Sequence, residues 1–293
     1  MGADQIIMSV EKETYIYDRE HIHNELSARE ILPFIWKIIN PQSVADFGCG
    51  LGNWLSVAKT MGAKQIVGVD REYVLANDMY IPRENFIPHN LCEPFDLKRK
   101  FDLAICVEVA EHLPEECALN LVKTLTVHAD TILFSAALPH QGGQKHINEK
   151  PLDYWVKLFQ AHGFSFYDGL RQEFWNNPRV HFWYRQNCFL VSRNNLTELW
   201  GLPLAKNSYL HPELYQLYQA WHKQLAISEH DDLRKERDDL RKERDLSSRK
   251  ATRLEARLSQ VYASSSWRLT APLRAVGGVS LPWPGAKRTR SSD

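Results

Sequence analysis

Between residues 26 and 228 the apolar positions switch repeatedly between helical spacing and short unbroken runs. Residues 27–39 (SAREILPFIWKII) read as an amphipathic helix that Pro33 is expected to bend or restart. Residues 43–47 (SVADF) form a short buried strand ending in glycines, and residues 52–61 read as a helix. Strands follow at 65–69 (QIVGV), at Phe86 and Ile87, and at 101–107 (FDLAICV), then a helix at 114–127 and a strand at 131–137. A helix at 151–162, a strand at 164–168 and a last strand at 183–192 complete the pattern. Buried strands alternating with helices predict an α/β protein, a mainly parallel sheet covered on both faces.

After residue 228 the pattern changes. DDLRKER occupies residues 231–237 and again 238–244, a seven-residue repeat. With d at Leu233, Leu240, Ser247, Leu254 and Val261, the a positions are Arg237, Arg244, Ala251 and Leu258, so the seam is apolar mainly in its last two heptads. Two readings stand: a solvated charged helix laced with i,i+4 pairs, or a coiled coil that makes a homo-oligomer or docks a glycosyltransferase partner. Residues 263–293 mix Trp267, Leu273 and Trp283 with Arg268, Arg274, Lys287, Arg288 and Arg290. Such a tail fits a peripheral contact with an anionic membrane surface, although Pro272, Pro282 and Pro284 prevent one long helix. The layout expected is an N-terminal flap and helix (1–40), an α/β domain (41–200), a helical connection (201–228), the charged helix (229–262) and the basic tail (263–293).

The 293 residues balance 36 basic against 36 acidic side chains, but residues 1–228 carry 21 basic and 26 acidic residues, whereas residues 263–293 carry five and one. An anionic partner would meet the tail, and the acidic main domain argues against nucleic acid. Five cysteines at wide spacings, with no CxxC pair, read most simply as a reducing compartment. No run approaches the roughly 18 apolar residues that span a bilayer, and the N-terminus lacks a signal-peptide pattern. Gly2 opens as a myristoylation site does, but Ile6 stands where Ser or Thr is wanted. The expectation is a cytoplasmic protein, with the inner membrane face as the place its tail would reach.

VADFGCGLGNW (44–54), at the end of the first strand, carries the sharpest chemical signal. Gly48, Gly50 and Gly52 permit a tight turn and bring backbone N–H groups close to a ligand. The spacing is GxGxG, Asp46 precedes it, and no GK[ST] follows, which argues against a dinucleotide fold and a P-loop. The second strand ends in VGVD, placing Asp70 where a carboxylate accepts both hydroxyls of a ribose. Asn90 and Leu91 fall where a third strand ends. The fourth exits as EVAEHLP, which brings Glu108, Glu111 and His112 to the same rim. His21 and His23 lack a second ligand cluster, no carboxylate cluster dedicated to a divalent ion stands out, and no metal is expected.

In order and spacing these motifs resemble the class I S-adenosylmethionine-dependent methyltransferases: DFGCGLG (46–52), GVD (68–70), Asn90-Leu91 and FDLAICVEVAEHLP (101–114). The resemblance covers about residues 40–195. It implies a Rossmann-like seven-stranded sheet with the last strand antiparallel, and S-adenosyl-L-methionine as cofactor. Asp46, Gly48, Cys49, Gly50 and Gly52 would then hold the methionine moiety, Asp70 with Arg71 the ribose, Asn90 and Leu91 the adenine, and Glu108 the sulfonium end. Residues 134–168 and 183–187 are similar to a bacterial subgroup associated with surface-polysaccharide and other sugar pathways. The coil followed by SSSWRLTAPLR (264–274) resembles tails on bacterial glycosyltransferases. These likenesses imply a small or glycan acceptor, with His140, Gln141, Tyr184 and Asn187 on the substrate side.

A sulfonium methyl is already electrophilic, so the protein aligns an acceptor and, for a hydroxyl, removes its proton. The candidate bases are His146, then His112, with Glu149 beside them; a histidine that caps a helix or bonds a backbone carbonyl, for His112 above all, and a first-turn acid for Glu149 are the structural alternatives. Tyr15, Tyr17 and His23 read as a flap over the pocket, and Trp155, Phe159, Phe164, Phe166 and Phe182 as core. Cys49 fits as a small residue, though an exposed thiol there would be open to alkylation. N- or C-methylation of a small metabolite is the enzymatic alternative. The other is an adaptor for a glycan-assembly complex, with a passive methyltransferase fold.

Overall fold

The computed structural model describes residues 15–76 and 78–269. The chain forms two compact units, Met1–Tyr218 and Gln219–Asp293. The first is built on seven strands: β1 (Ser43–Phe47), β2 (Gln65–Asp70), β3 (Phe86–Pro88), β4 (Leu103–Val107), β5 (Thr131–Ser135), β6 (Ser165–Tyr167) and β7 (Phe189–Ser192). They lie in the order β3-β2-β1-β4-β5-β7-β6. β1 to β5 pair in parallel, and β7 runs antiparallel to both β5 and β6. This is the Rossmann-like seven-stranded sheet with an antiparallel last strand that the resemblance implies.

Both faces are covered, as near-continuous apolar strands require. α1 (Leu26–Ile39) and α2 (Asn53–Thr60) pack one face, where Leu32, Ile35 and Leu55 meet Val44, Leu103 and Ile105. α3 (Ala118–His128) and α4 (Leu152–Gln160) cover the other, where Leu121, Leu125, Trp155 and Phe159 meet Ala104, Cys106 and Phe134. Residues 103–106 alternate between the two clusters, the period of two that a strand imposes. Each such fully buried aliphatic or aromatic side chain contributes about 1.5–3 kcal/mol. The aromatics read as core are buried in the cases of Trp155, Phe159, Phe164 and Phe166. α1 runs through Pro33 without ending.

Two sequence expectations are corrected. Residues 183–192 are not one strand: α5 (Gly169–Phe174) is followed by α6 (Phe182–Asn187), and only Phe189–Ser192 joins the sheet. Its aromatic start favours a strand, but Arg185, Gln186 and Asn187 are all buried, and consecutive buried polar residues need a turn that aims them at separate partners. The cysteines are not all unpaired either. Cys92 and Cys117 form a disulfide, while Cys49, Cys106 and Cys188 are free and buried.

α7 (Leu196–Trp200) precedes α8 (Pro212–Ala263), 52 residues that continue without a break through the heptad repeats, and α9 (Ser265–Leu269) follows. Within the second unit Leu233, Leu240, Leu254, Leu258 and Val261 are exposed. No helix among the described residues is long and apolar enough to cross a membrane. The tail beyond Leu269, on which most of the lipid-surface reading rests, lies outside the described residues.

Candidate active site

The glycine turn sits at the C-terminal end of β1. The N–H groups of Gly48 and Cys49 both donate to the Val69 carbonyl, at 2.7 and 3.2 Å, which folds the turn onto β2. Gly48 and Gly52 have φ of +87° and +82°. A Cβ on Gly48 would lie 2.3 Å from Val109 Cγ2, and one on Gly52 2.7 Å from Ile81 Cγ1, so backbone conformation and close approach both require glycine. Gly50 N–H donates to Asp70 Oδ2 at 2.8 Å, joining the turn to the end of β2. Asp46 is buried beneath, its Oδ2 without a hydrogen-bond partner, and burial followed by the charge of Asp70 holds its carboxyl well above the usual range. Cys49 is buried with its thiol pushed far up, so the alkylation route is closed. Arg71 donates to Asn90 Oδ1 at 3.0 Å, tying the ends of β2 and β3, and Leu91 is buried in the core beside them.

The end of β4 carries the second half of the site. Glu108 adopts φ of +53°, uncommon outside glycine, and its N–H is held by the Ser135 carbonyl (3.2 Å) and hydroxyl (3.0 Å). Its carboxylate accepts from Gln141 Nε2 at 3.2 Å and from Asn187 Nδ2 at 3.4 Å, and Asn187 also donates to Gln141 Oε1 at 2.8 Å. Glu108, Gln141 and Asn187 therefore come together. Gln186, which the sequence did not single out, completes the set: its Nε2 donates to Asn187 and Gln141, and its Oε1 takes the His211 N–H at 2.7 Å. Arg185, paired with Glu213 at 2.6 Å, anchors the same turn. Tyr184 packs edge-on to Trp54, with burial and the charge of Glu108 raising its hydroxyl pKa. His140 is exposed at φ +67°, and none of these bonds reaches it.

Beyond Glu108, Glu111 is completely buried, and neither carboxylate oxygen has a hydrogen-bond partner. Burial and the charge of Glu108 raise its pKa well above the ordinary range. Its backbone carbonyl accepts the N–H groups of Ile147 and Asn148 at 2.9 and 3.0 Å, which pins the loop carrying His146 over the rim. The His112 and His146 rings meet edge-on at 4.9 Å. His112 Nδ1 lies 3.4 Å from the Lys145 carbonyl, and His146 Nδ1 lies 2.8 Å from Glu149 Oε1. Burial, then the charge of His146, lowers the His112 pKa to about 4. One structural alternative fits and the other does not: His112 faces the Lys145 backbone carbonyl, as a carbonyl-bonded histidine does, whereas Glu149 precedes α4 rather than lying in its first turn and takes the Gly142 N–H at 2.7 Å. The sequence shows no metal-binding cluster, yet Glu111, His112 and His146 each offer a ligand atom, all within 4.8 Å of one another.

The N-terminal residues close over both halves. A Gly50 Cβ would lie 3.2 Å from the Tyr17 ring, Tyr15 stacks edge-on with His112 at 5.5 Å, and the Tyr15 hydroxyl lies 3.4 Å from His23 Nε2. Burial raises the Tyr15 pKa to about 12.

The family model described as a methyltransferase domain matches residues 19–168, the stretch that holds both halves of this site except α6. The chain belongs to that methyltransferase family. Its cofactor is S-adenosylmethionine. No curated protein matches the sequence significantly. Among solved structures, magnesium protoporphyrin IX methyltransferase from Synechocystis PCC 6803, with bound SAH, is similar at 21% identity and TM-score 0.45, over 58% of this chain and 83% of that one. Streptomyces venezuelae DesVI is similar at 12% identity and TM-score 0.46, over 61% and 100%. A S-adenosylmethionine-dependent methyltransferase from Clostridium acetobutylicum ATCC 824 is similar at 11% identity and TM-score 0.46, over 59% and 93%.

Proposed function

We propose that this methyltransferase transfers its methyl group to a hydroxyl of a small or glycan acceptor, a sugar hydroxyl of surface-polysaccharide assembly being the leading candidate. S-adenosylmethionine, when bound, supplies a methyl already activated by the positive sulfur. The chain's own residues fit that molecule: Asp46 keeps an unpartnered buried oxygen beneath the glycine turn, and Asp70, which braces that turn through Gly50, stands at the ribose position. Asp46 and Gly48 to Gly52 would hold the amino-acid end, Asp70 and Arg71 the ribose, and Asn90 and Leu91 the adenine. The Tyr15 and Tyr17 flap would keep water from the reacting centre.

One observation carries the hydroxyl reading: two imidazoles, one held by a carboxylate, meet at the rim, His112 coming four residues after Glu108 and His146 from the loop before α4. N- or C-methylation of a small metabolite needs less of a base, whereas a sugar hydroxyl does not give up its proton unaided. Gln141, Asn187 and Tyr184 would orient the acceptor. The exposed leucines of α8 support a second copy of the chain, or a glycosyltransferase, as the partner in the coil, and the basic tail supports work at the inner membrane face.

Calorimetric titration with S-adenosylmethionine and S-adenosylhomocysteine, followed by transfer assays on nucleotide-linked and lipid-linked sugars, tests this reading. Saturable binding and a methyl ether in the product bear it out. Methylation at nitrogen or carbon would replace it with the small-metabolite alternative, and a folded chain that binds neither ligand would leave only the adaptor role.

A further inference from the structure

We propose that Glu111, His112 and His146 form a binding site for a divalent transition-metal ion, whose open positions take an oxygen of the acceptor. The three residues come from separate places, the short turn after β4 and the loop before α4, yet their ligand atoms gather within 4.8 Å. A second observation points the same way. Glu111 is fully buried with neither carboxyl oxygen in a hydrogen bond, an arrangement that leaves a polar group's bonding capacity unused and is costly unless something satisfies it. A cation among Glu111, His112 and His146 satisfies it.

The imidazoles are set as metal ligands are set. A backbone carbonyl faces Nδ1 of His112 and a carboxylate faces Nδ1 of His146, acceptors that keep the ring proton on Nδ1 and the lone pair on Nε2. Two nitrogen donors and one carboxylate weigh against calcium, which takes oxygen ligands, and suit manganese, iron, cobalt or zinc better than magnesium. Three protein ligands leave positions open, the pattern of a site that works on a substrate rather than one that staples a fold.

The role of the ion rests on the hydroxyl reading above. A hydroxyl held by a divalent cation is far more acidic than a free one. Its O–H proton would leave to a water held at another of the ion's open positions, the oxygen's electron pair would form the new C–O bond, and the C–S electron pair would depart with the sulfur. His146 then serves by holding the ion rather than by taking the proton itself.

The experiment uses full-length protein stripped with a chelator and dialysed, then titrated with Mn2+ by electron paramagnetic resonance and with Zn2+ by calorimetry. S-adenosylhomocysteine binding is measured on the same samples. One ion per chain is expected, weakened tenfold or more in Glu111→Gln and in His146→Ala, about tenfold in Glu149→Gln, and unchanged in His230→Ala. Glu111→Gln keeps the side-chain shape, and retained S-adenosylhomocysteine binding reports that each variant is folded. A wild type that binds S-adenosylhomocysteine but no ion, or variants that bind ions as the wild type does, would overturn the site. Ion binding without S-adenosylhomocysteine binding would support the site and overturn the methyl-transfer reading instead.

Discussion

The carboxylate of Asp70 accepts the backbone N–H of Gly50 at 2.8 Å, across the gap between the end of β2 and the glycine turn. One side chain thus shapes the turn and forms the floor beside it. Asp70→Ala removes both, and S-adenosylmethionine binding is expected to weaken at least tenfold, about 1.4 kcal/mol. Asp70→Asn, which can still accept from Gly50, should lose less. Titration calorimetry on the two variants separates the roles, and equal affinity in Asp70→Ala and wild type would refute the assignment.

Gly48→Ala is expected to destabilise the fold by about 1–3 kcal/mol, because its Cβ would overlap the Val109 side chain. Combining it with Val109→Ala should recover only part of the loss, since the positive φ of Gly48 still penalises any side chain. Urea unfolding of the three variants measures this, and full recovery in the pair would show that backbone strain plays no part.

Cys92 and Cys117 close a loop with a sequence separation of 25. On the chain-entropy account such a link stabilises by about 3.5 kcal/mol. It also joins the segment after Leu91 to the turn that follows His112, so its two ends lie on the two halves of the site. Dithiothreitol or Cys117→Ser should lower the unfolding midpoint and weaken S-adenosylhomocysteine binding together. If the chain unfolds identically with and without reductant, the link contributes nothing.

His181 stacks on Trp183 at 4.4 Å with its Nε2 buried and unpartnered. Burial first, then the charges of Arg185 and His23, lower its pKa below the ordinary 6.5. Between the lowered value and 6.5 the unfolded chain binds the proton and the folded chain does not, so stability falls as pH drops through that window. His181→Gln should flatten this slope. Thermal unfolding between pH 7.5 and pH 5 reads it, and a variant slope as steep as wild type would assign the effect elsewhere.

A chain ending after Ala226 keeps every residue of the site and should bind S-adenosylmethionine as the full chain does. It loses the exposed heptad leucines, and light scattering should show its mass per particle fall if α8 associates with a second copy. Loss of cofactor affinity on truncation would place part of the site in the second unit.

The fold was legible because its strands are short apolar runs and its glycines stand where only glycine fits. Gly48 and Gly52 announce the turn, and Asp70 announces the end of β2. The expected cofactor side of the site comes from local spacing together with the family resemblance. The geometry of the acceptor side does not, because His146 meets His112 only through the two N–H groups that Ile147 and Asn148 give to Glu111, a register that no periodicity records. Gln186 escaped for a related reason: within a stretch that reads as strand, consecutive polar residues look like a solvated face, and here all are buried. The pairing of Cys92 with Cys117 is likewise a product of tertiary contact.

Glu111 faces two ways: its carbonyl fastens the acceptor loop, and its carboxylate joins the imidazoles. Pinned at residues 147 and 148, and tied through Gln141 to Glu108 and through Gly142 to Glu149, the loop is no separable piece. A change of acceptor preference made in residues 138–146 would therefore be felt at the end of β4 as well.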